Sequence, residues 1–365
     1  MEIYFAILIL ISFFSMLEIA GVGILTQKFA LICFSLICLM LGGLRYNTGT
    51  DWISYYSYFI QGESFYYFIN NNFEVGYALL NYIIKALTNE YNVLLLIISF
   101  ICVMCYYKCS VYLTRYGITV AMILFASDLY GIFPVRTTIV AAMAMLAYVL
   151  IEKKQKCYFL LLVLIATSIH RISIILIPAY WIYYRQWSNI KIVVLIIGSI
   201  IIGYSNIIFD FMSSITDIDS IYLSKFLSYS ERSAAGNQFG AAVDKEKLSY
   251  YMVAFKCFLL LIVLKYRNLL EERISYFNGL FNLFLFGSCI YFLLVHTSAE
   301  IAARLTGVYN MSQYLLLAGF MNLFRRTEIR LLVWIGLFFM CLMKLFMKFI
   351  TLPDAYIPYT NILGI

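Results

Sequence analysis

The chain has 365 residues, of which 64% are apolar and only 12% are charged, and its net charge is +7. A soluble domain of this size carries about a quarter charged residues, so the composition excludes an ordinary water-soluble protein. Only 4 prolines and long continuous apolar runs favour helices over a β-barrel, whose strands alternate over about ten residues. We therefore predict an all-α polytopic membrane protein with the lipid bilayer as its solvent, and no binding of nucleic acid.

The apolar runs predict about twelve transmembrane helices within a single transmembrane domain over 1–365. The pair 157–170 and 172–184 is short for a helix that needs about 20 apolar residues, which predicts a broken hairpin or a re-entrant element. The predicted spans are 3–24, 29–44, 91–107, 118–133, 137–151, 157–170, 172–184, 192–209, 249–264, 274–296, 305–324 and 331–350.

Two hydrophilic segments separate the spans. The first, 45–90, is predicted as an external loop that contains an interfacial or half-inserted helix at 75–88, a stretch that is apolar but short. The second, 210–248, is predicted as a large external loop, a lid or glycan-contacting element in which Tyr229 and Arg232 are the candidate contacts.

The distribution of charge predicts the orientation in the membrane. Alternating spans place 14 basic and four acidic residues in the connections on one face, and nine basic and 13 acidic residues on the other. The positive-inside rule assigns the first face to the cytoplasm. Both hydrophilic segments then lie outside.

Four arginines lie at the outer ends of spans, on the face where this rule depletes them: Arg45, Arg136, Arg171 and Arg304. A guanidinium near hydrocarbon is costly unless it snorkels, pairs or faces a cavity. Four of them at one depth suggest an anionic ligand, and phosphate fits the guanidinium fork well. The alternative is snorkelling to lipid phosphates, or pairing with Asp51, Glu74 and Glu300.

His170 lies at the tip of the short hairpin, next to Arg171. An imidazole can accept a proton near neutral pH, so His170 is a candidate general base, with a purely structural histidine as the alternative. Asp51 and Glu74 are candidate bases or hydroxyl anchors, and either could instead pair with an arginine.

The stretch after Arg45 predicts a turn and then a short aromatic helix. Thr50 is the predicted cap of a helix that opens with Asp51, and Trp52 and Tyr55 follow on it. These rings suit either a membrane-interface belt or a platform for sugar rings, and the sequence does not separate the two.

Motifs of several other enzyme classes are absent from the sequence. There is no zinc-type His/Cys spacing, no Gly-rich phosphate loop and no Gly-x-Ser-x-Gly nucleophile. Asp217-Ile218-Asp219 spells the Asp-x-Asp of metal-dependent glycosyltransferases, but no α/β domain is predicted to hold a nucleotide, so we interpret it as a solvated loop. We predict no metal and no cofactor.

Taken in order, these residues resemble the EpsG group of Wzy-type polysaccharide polymerases, over nearly the whole chain. The residues that carry the resemblance are Gly43-Leu44-Arg45, Gly49, Asp51 and Tyr55, then Phe73-Glu74-x-Gly76-Tyr77-x-x-Leu80-Asn81, then Arg136, His170 and Arg304, and finally Ile357-Pro358-Tyr359.

The resemblance implies a multi-pass enzyme of the bacterial inner membrane with its active site on the periplasmic side. It would transfer a glycan from an undecaprenyl-pyrophosphate carrier onto a lipid-linked oligosaccharide repeat unit, in O-antigen or exopolysaccharide synthesis. The implied fold is broadly similar to the metal-independent, lipid-dependent C-type glycosyltransferases. The implied partners are a flippase and a chain-length-regulating co-polymerase.

With this chemistry in mind, we assign Arg136 and Arg304 to the pyrophosphate, supported by Arg45 and Arg171. His170 is the first choice for the base or acceptor-orienting group, and Asp51 or Glu74 the second. Three alternatives stay open: an O-antigen-type ligase, a transporter of lipid-linked or anionic sugars, and a membrane acyltransferase with catalytic His170.

Overall fold

The computed structural model describes nearly the whole chain. The residues outside the description are Thr50, Asn72, Pro134, Asn206, 215–227, Ala234, Gly236, 239–240, 243–244 and Ile365. The described residues are mostly helical, with one two-stranded antiparallel ladder between Asn237–Gln238 and Ala241–Ala242. The chain divides into two compact units, Met1–Ile177 with Tyr314–Ile365, and Pro178–Gln313, and each is described by itself.

The helices of the first unit follow the apolar runs of the sequence. They are α1 Glu2–Ile19, α2 Ile24–Gly43, α3 Trp52–Gln61, α4 Phe65–Asn70, α5 Val75–Leu87, α6 Tyr91–Leu113, α7 Gly117–Asp128, α8 Arg136–Glu152 and α9 Lys156–Ile169, with 3₁₀ turns at Leu129–Gly131 and Arg171–Leu176. Later in the chain come a 3₁₀ turn at Phe320–Leu323, α18 Thr327–Thr351 and α19 Pro353–Tyr356.

The described helices of the second unit vary in length from the five residues of α10 to the 21 residues of α14 and α17. They are α10 Ala179–Tyr183, α11 Asn189–Tyr204, α12 Ile207–Ser214, α13 at 228–233, α14 Lys245–Lys265, α15 Arg267–Arg273, α16 Phe277–Leu294 and α17 Ala299–Gly319, whose residues from Tyr314 onward belong to the first unit.

The helices identify a membrane-embedded protein. Among the described residues, five helices are long and apolar enough to cross a bilayer, namely α1, α2, α6, α16 and α18, and five shorter apolar helical stretches accompany them. Large apolar side chains lie on the outside, such as Leu25 and Leu87, each 81% exposed. An apolar surface of this kind is unfavourable in contact with water and favourable in contact with lipid. The all-helical prediction is confirmed, and each of the twelve predicted spans overlaps at least one helix.

Some helix boundaries differ from the predicted spans for local reasons. The predicted span 118–133 ends at Asp128, because Leu129 and Tyr130 adopt left-handed φ angles of 55° and 46°. The predicted span 305–324 begins earlier, at Ala299, so that Arg304 lies inside α17 rather than in a connection. The second half of the 157–184 hairpin is broken, as predicted, into a 3₁₀ turn and the five-residue α10.

Small residues bring α2 and α6 close together. A Cβ on Gly42 would lie 2.9 Å from the carbonyl oxygen of Gly131 and 3.0 Å from the Cβ of Ser99, and a Cβ on Gly43 would collide with Leu96. Membrane helices use such small residues to let backbones approach, since packing drives their association. This contact sets the position from which the chain leaves α2.

The end of the described chain is joined to the turn after α2. Arg45 and Asn361 form a β-bridge, the amide of Ile362 donates to the Leu44 carbonyl at 3.0 Å, and the Tyr359 hydroxyl donates to the Leu41 carbonyl at 2.6 Å. Two stretches that carry the resemblance, though about 310 residues apart in the sequence, are therefore neighbours in the fold.

In the second unit, polar side chains satisfy the backbone where α10 ends. The Asn282 amide of α16 donates to the carbonyl of Arg185 at 2.6 Å and to those of Ile182 and Tyr183 at 3.2 Å. Arg267 donates to the Trp187 carbonyl at 2.7 Å. These bonds give hydrogen-bond donors to backbone carbonyls at the end of α10, which have no partner within a helix of only five residues.

Candidate functional site

One carboxylate in the first unit gathers three of the predicted site residues. Glu74 is the N-terminal flanking residue of α5, and its Oε2 accepts from Nη1 of Arg136 at the start of α8. Its Oε1 lies 3.3 Å from Nδ1 of His170 and accepts from the backbone amide of Arg171, also at 3.3 Å. The Arg171 Nε is 4.0 Å from the same oxygen. We call these four residues the Glu74 cluster.

A glycine allows the cluster to form. α9 ends at Ile169, and His170 continues in an extended conformation with φ −152° and ψ 118°. A Cβ on Gly76, in the first turn of α5, would lie 2.8 Å from both the Cβ and the carbonyl oxygen of Ser168. Only glycine lets α5 come this close to the end of α9, which brings Glu74 beside His170.

Aromatic rings surround the guanidinium of Arg136. Its carbon Cζ lies 4.5 Å from the centre of the Phe73 ring, 5.8 Å from that of Tyr77 and 5.9 Å from that of Tyr55. Its Nε also donates to the Tyr55 hydroxyl at 3.2 Å. Cation–π contacts and charged hydrogen bonds of this kind fix a guanidinium in one orientation.

Two of the aromatic residues around Arg136, Phe73 and Tyr77, are not assigned to the site by the sequence analysis. Both flank Glu74 in the Phe73-Glu74-x-Gly76-Tyr77 stretch, and this proximity is the signal that could have identified them. Tyr55, which is predicted as a glycan contact, accepts a hydrogen bond from Arg136.

The Glu74 cluster is partly open. The exposed fraction of the side chain is 10% for Glu74, 15% for His170, 20% for Arg136 and 53% for Arg171. Burial alone would raise the pKa of Glu74, but the hydrogen bond with His170 and the charge of Arg136 lower it to about 2. A carboxylate that stays ionised at neutral pH holds its partners in place and is a weak base.

Arg45 lies elsewhere in the first unit and is 1% exposed. Its guanidinium lies 4.9 Å from the centre of the Phe133 ring, and a Cβ on Gly49, whose φ is +106°, would lie 2.8 Å from its Nη1. Its Nε has no hydrogen-bond partner among the described residues, and burial lowers its pKa. The cation is therefore held against an aromatic ring rather than by a carboxylate.

Two further predicted residues stand outside the Glu74 cluster. Asp51 precedes α3, is exposed and forms no side-chain cap or ion pair among the described residues. Thr50, the predicted cap, lies outside the described residues. Trp52 is 5% exposed and stacks on Tyr56 with ring centres 4.7 Å apart, so its position is that of a packing residue.

The second unit brings together three other predicted residues. The Tyr229 ring has the Arg232 guanidinium 4.3 Å from its centre and that of Arg304 5.0 Å away. Arg304 also donates at 2.6 Å to Glu300, one turn earlier in α17, and its side chain is 44% exposed. We call these four residues the Tyr229 cluster. The rest of the predicted 210–248 loop, including 215–227 with Asp217-Ile218-Asp219, lies largely outside the described residues.

The family model of EpsG matches the chain over residues 28–361. The chain belongs to the EpsG family. The matched range includes every residue of the Glu74 and Tyr229 clusters. EpsG is a Wzy-type polymerase-like family, so membership indicates a membrane protein of polysaccharide synthesis. No curated protein and no solved structure matches the chain significantly.

In this EpsG-family protein, the Glu74 cluster can bind an anion and accept a proton. If Nδ1 of His170 carries the hydrogen, it donates to Glu74 and leaves Nε2 as a proton acceptor. The exposed Arg171 and the free edge of the Arg136 guanidinium offer donors to a phosphate. No group of three His, Cys, Asp or Glu side chains that could hold a metal ion occurs among the residues described.

Proposed function

We propose that the protein is a metal-independent, lipid-linked glycosyltransferase, a polysaccharide polymerase. It transfers a glycan from an undecaprenyl-pyrophosphate carrier onto a lipid-linked repeat unit. The observation that carries the proposal is the convergence of Arg136, His170 and Arg171 on Glu74. One place then contains cations for a diphosphate, a proton acceptor and the carboxylate that orients both.

The proposed topology has twelve crossings of the bacterial inner membrane, in a fold broadly similar to the C-type glycosyltransferases. It extends the five clear spans with the shorter apolar helices. The charge count supports it, because the connections with 14 basic and four acidic residues then lie in the cytoplasm. In this proposed topology the Glu74 cluster lies at helix ends on the opposite, periplasmic side.

In the proposed reaction, a hydroxyl oxygen of the acceptor sugar attacks the anomeric carbon of the donor glycan. The bond from that carbon to the pyrophosphate oxygen breaks, and its electron pair leaves with the pyrophosphate. His170 takes the hydroxyl proton on Nε2, while Glu74 holds the imidazole through Nδ1. A base is needed because a sugar hydroxyl is a weak acid.

Charge builds on the departing pyrophosphate, and the arginines stabilise it. Arg136 is held in place by Tyr55, Phe73 and Glu74, so it needs no reorganisation during the reaction. Removing one such prepositioned donor costs about 2.7–4 kcal/mol in comparable sites. Arg171, which is more exposed, supports Arg136 from the same cluster.

Within the second unit, Arg304 is a further residue proposed to bind pyrophosphate, and the Tyr229 ring with Arg232 offers an aromatic face and hydrogen-bond donors to a glycan. Arg45 supports the site from the turn after α2. A flippase that delivers repeat units and a chain-length-regulating co-polymerase are the proposed protein partners.

The experiment that tests this function is deletion of the gene followed by gel display of the surface polysaccharide. A polymerase predicts collapse of the ladder to a single repeat unit. A ligase predicts that full-length chains accumulate on the lipid carrier instead. A transporter predicts that no polymer and no surface repeat unit appear, because the substrate never reaches the outer face.

A further inference from the structure

A cavity lies at the opposite end of the first unit from Arg45. It has a volume of about 330 Å³ and is formed where α1 ends, α2 begins and α6 meets α7. The first turn of α2 lines it, whereas Arg45 follows the last turn of this 20-residue helix. At 1.5 Å per residue the two ends of α2 are about 30 Å apart, so the cavity is separate from the proposed polymerase site.

The acidic residue of this cavity is already satisfied. Glu18 accepts from the amide of Ile118 at 2.6 Å, from the amide of Thr119 at 3.0 Å and from the Thr119 hydroxyl at 2.7 Å. Its charge is therefore taken up by the first turn of α7, where orphan amides and the helix dipole favour an anion. Glu18 therefore caps the N-terminus of α7, and its carboxylate offsets little of the positive charge of other residues at the cavity.

The basic residues around the cavity have no such compensation. Lys28 and Arg115 line the cavity, and neither forms an ion pair among the described residues. The cavity thus has an excess of positive charge.

The walls combine polar and apolar groups. Ser110 is fully buried, lines the cavity, and its Oγ has no hydrogen-bond partner among the described residues. On the outer side, Ile24 lines the cavity and is 67% exposed, and Leu25 beside it is 81% exposed. A ligand with an anionic head and an apolar body would match both the polar interior of the cavity and the apolar outer side formed by Ile24 and Leu25. Free phosphate would match only the polar interior.

We infer that this cavity binds the phosphate head group of an acidic membrane lipid. Lys28 and Arg115 attract the phosphate, Ser110 offers a hydroxyl, and the acyl chains run along Ile24 and Leu25 in the bilayer. Basic pockets between membrane helices on the cytoplasmic side bind acidic head groups in this way. The inference is independent of the polymerase proposal, since none of these residues belongs to the Glu74 or Tyr229 cluster.

The test is a lipid titration of the purified full-length protein in detergent, followed by native mass spectrometry. We expect saturable binding of one phosphatidylglycerol. Lys28→Gln and Arg115→Gln should each weaken it about fivefold, since a basic residue near an acidic lipid contributes about 1 kcal/mol. Lys154→Gln, an exposed basic residue outside the cavity, is the matched control and should bind like the unaltered protein.

A second variant tests the cavity without removing charge. Gly23 lines the cavity, its φ is −53°, and a Cβ there would meet no heavy atom within 4 Å, so Gly23→Leu is compatible with the backbone. The added side chain should narrow the cavity and weaken phosphatidylglycerol binding. Equal binding of phosphatidylcholine, unchanged binding in all three cavity variants, or displacement by millimolar inorganic phosphate would overturn the inference.

Discussion

Nδ1 of His170 and Oε1 of Glu74 lie 3.3 Å apart, although 96 residues separate them in the sequence. Glu74 holds Arg136 with its other oxygen, so that one carboxylate orients both a proton acceptor and a cation. In the proposed reaction, His170 acts on the attacking hydroxyl and Arg136 acts on the leaving pyrophosphate.

Replacement of His170 tests the base. His170→Gln keeps an amide that can donate to Glu74 but has no group that takes a proton, so we expect polymerisation to fall about 10²–10⁴-fold with little loss of folded protein. The measurement is the rate of chain growth in isolated membranes, normalised to the amount of protein. Normal ladders from His170→Gln would show that the imidazole is structural.

Replacement of Arg136 tests the pyrophosphate contact. Arg136→Lys keeps the charge but loses the Nε donor to Tyr55 and the planar fork, so we expect a loss of about 10²–10³-fold in the rate of chain growth. Arg171→Lys is the matched control, because Arg171 is 53% exposed and should lose much less. Equal effects of the two variants would contradict the assignment of Arg136 as the main donor.

Glu74 makes the stability of the folded protein depend on pH. Its pKa is lowered to about 2 in the folded protein, against an ordinary value of 4.5, so the unfolded chain takes up the proton first as the pH falls. The stabilisation from Glu74 is therefore complete above about pH 4.5 and decreases as the pH falls toward 2.

The measurement is the thermal midpoint of the detergent-solubilised protein across this range of pH, compared with that of Glu74→Gln. We expect the variant to be less stable near neutral pH and the difference to shrink on acidification. A difference that is constant from neutral pH to the acid limit would mean that the charge of Glu74 does not hold the cluster together.

The close approach of α5 and α9 can be tested at Gly76. Gly76→Ala places a Cβ 2.8 Å from the Ser168 carbonyl oxygen, so the helices must separate, with a cost of about 1–3 kcal/mol. We expect a lower thermal midpoint and weaker polymerisation. Gly336→Ala, in α18 with no heavy atom within 4 Å of the new Cβ, is the control and should be neutral or slightly stabilising. Similar losses in both variants would argue against a special role for this contact.

The sequence predicts the helices well because a bilayer imposes long apolar runs, and each predicted span overlaps at least one helix. It also singles out Arg136, Glu74 and His170, since charged and titratable groups are costly near lipid. It does not predict the end of α7, because Leu129 and Tyr130 adopt left-handed backbone conformations that their residue types disfavour.

The partners of individual side chains are the other part that sequence alone does not supply. The rings of Tyr55 and Trp52 suit a membrane interface, a sugar platform or a packed contact equally well, and only tertiary structure places Tyr55 on Arg136 and Trp52 on Tyr56. The contacts of Phe73 and Tyr77 with Arg136 depend in the same way on how α3, α5 and α8 pack together.

The most direct test uses the purified protein with a defined undecaprenyl-pyrophosphate-linked repeat unit and no added metal. We expect a ladder of lipid-linked oligomers and the release of one undecaprenyl pyrophosphate for each glycosidic bond formed, and we expect Arg136→Ala to lose both. If the protein instead moves the lipid-linked unit across a vesicle membrane without forming a new glycosidic bond, it is a transporter and not a polymerase.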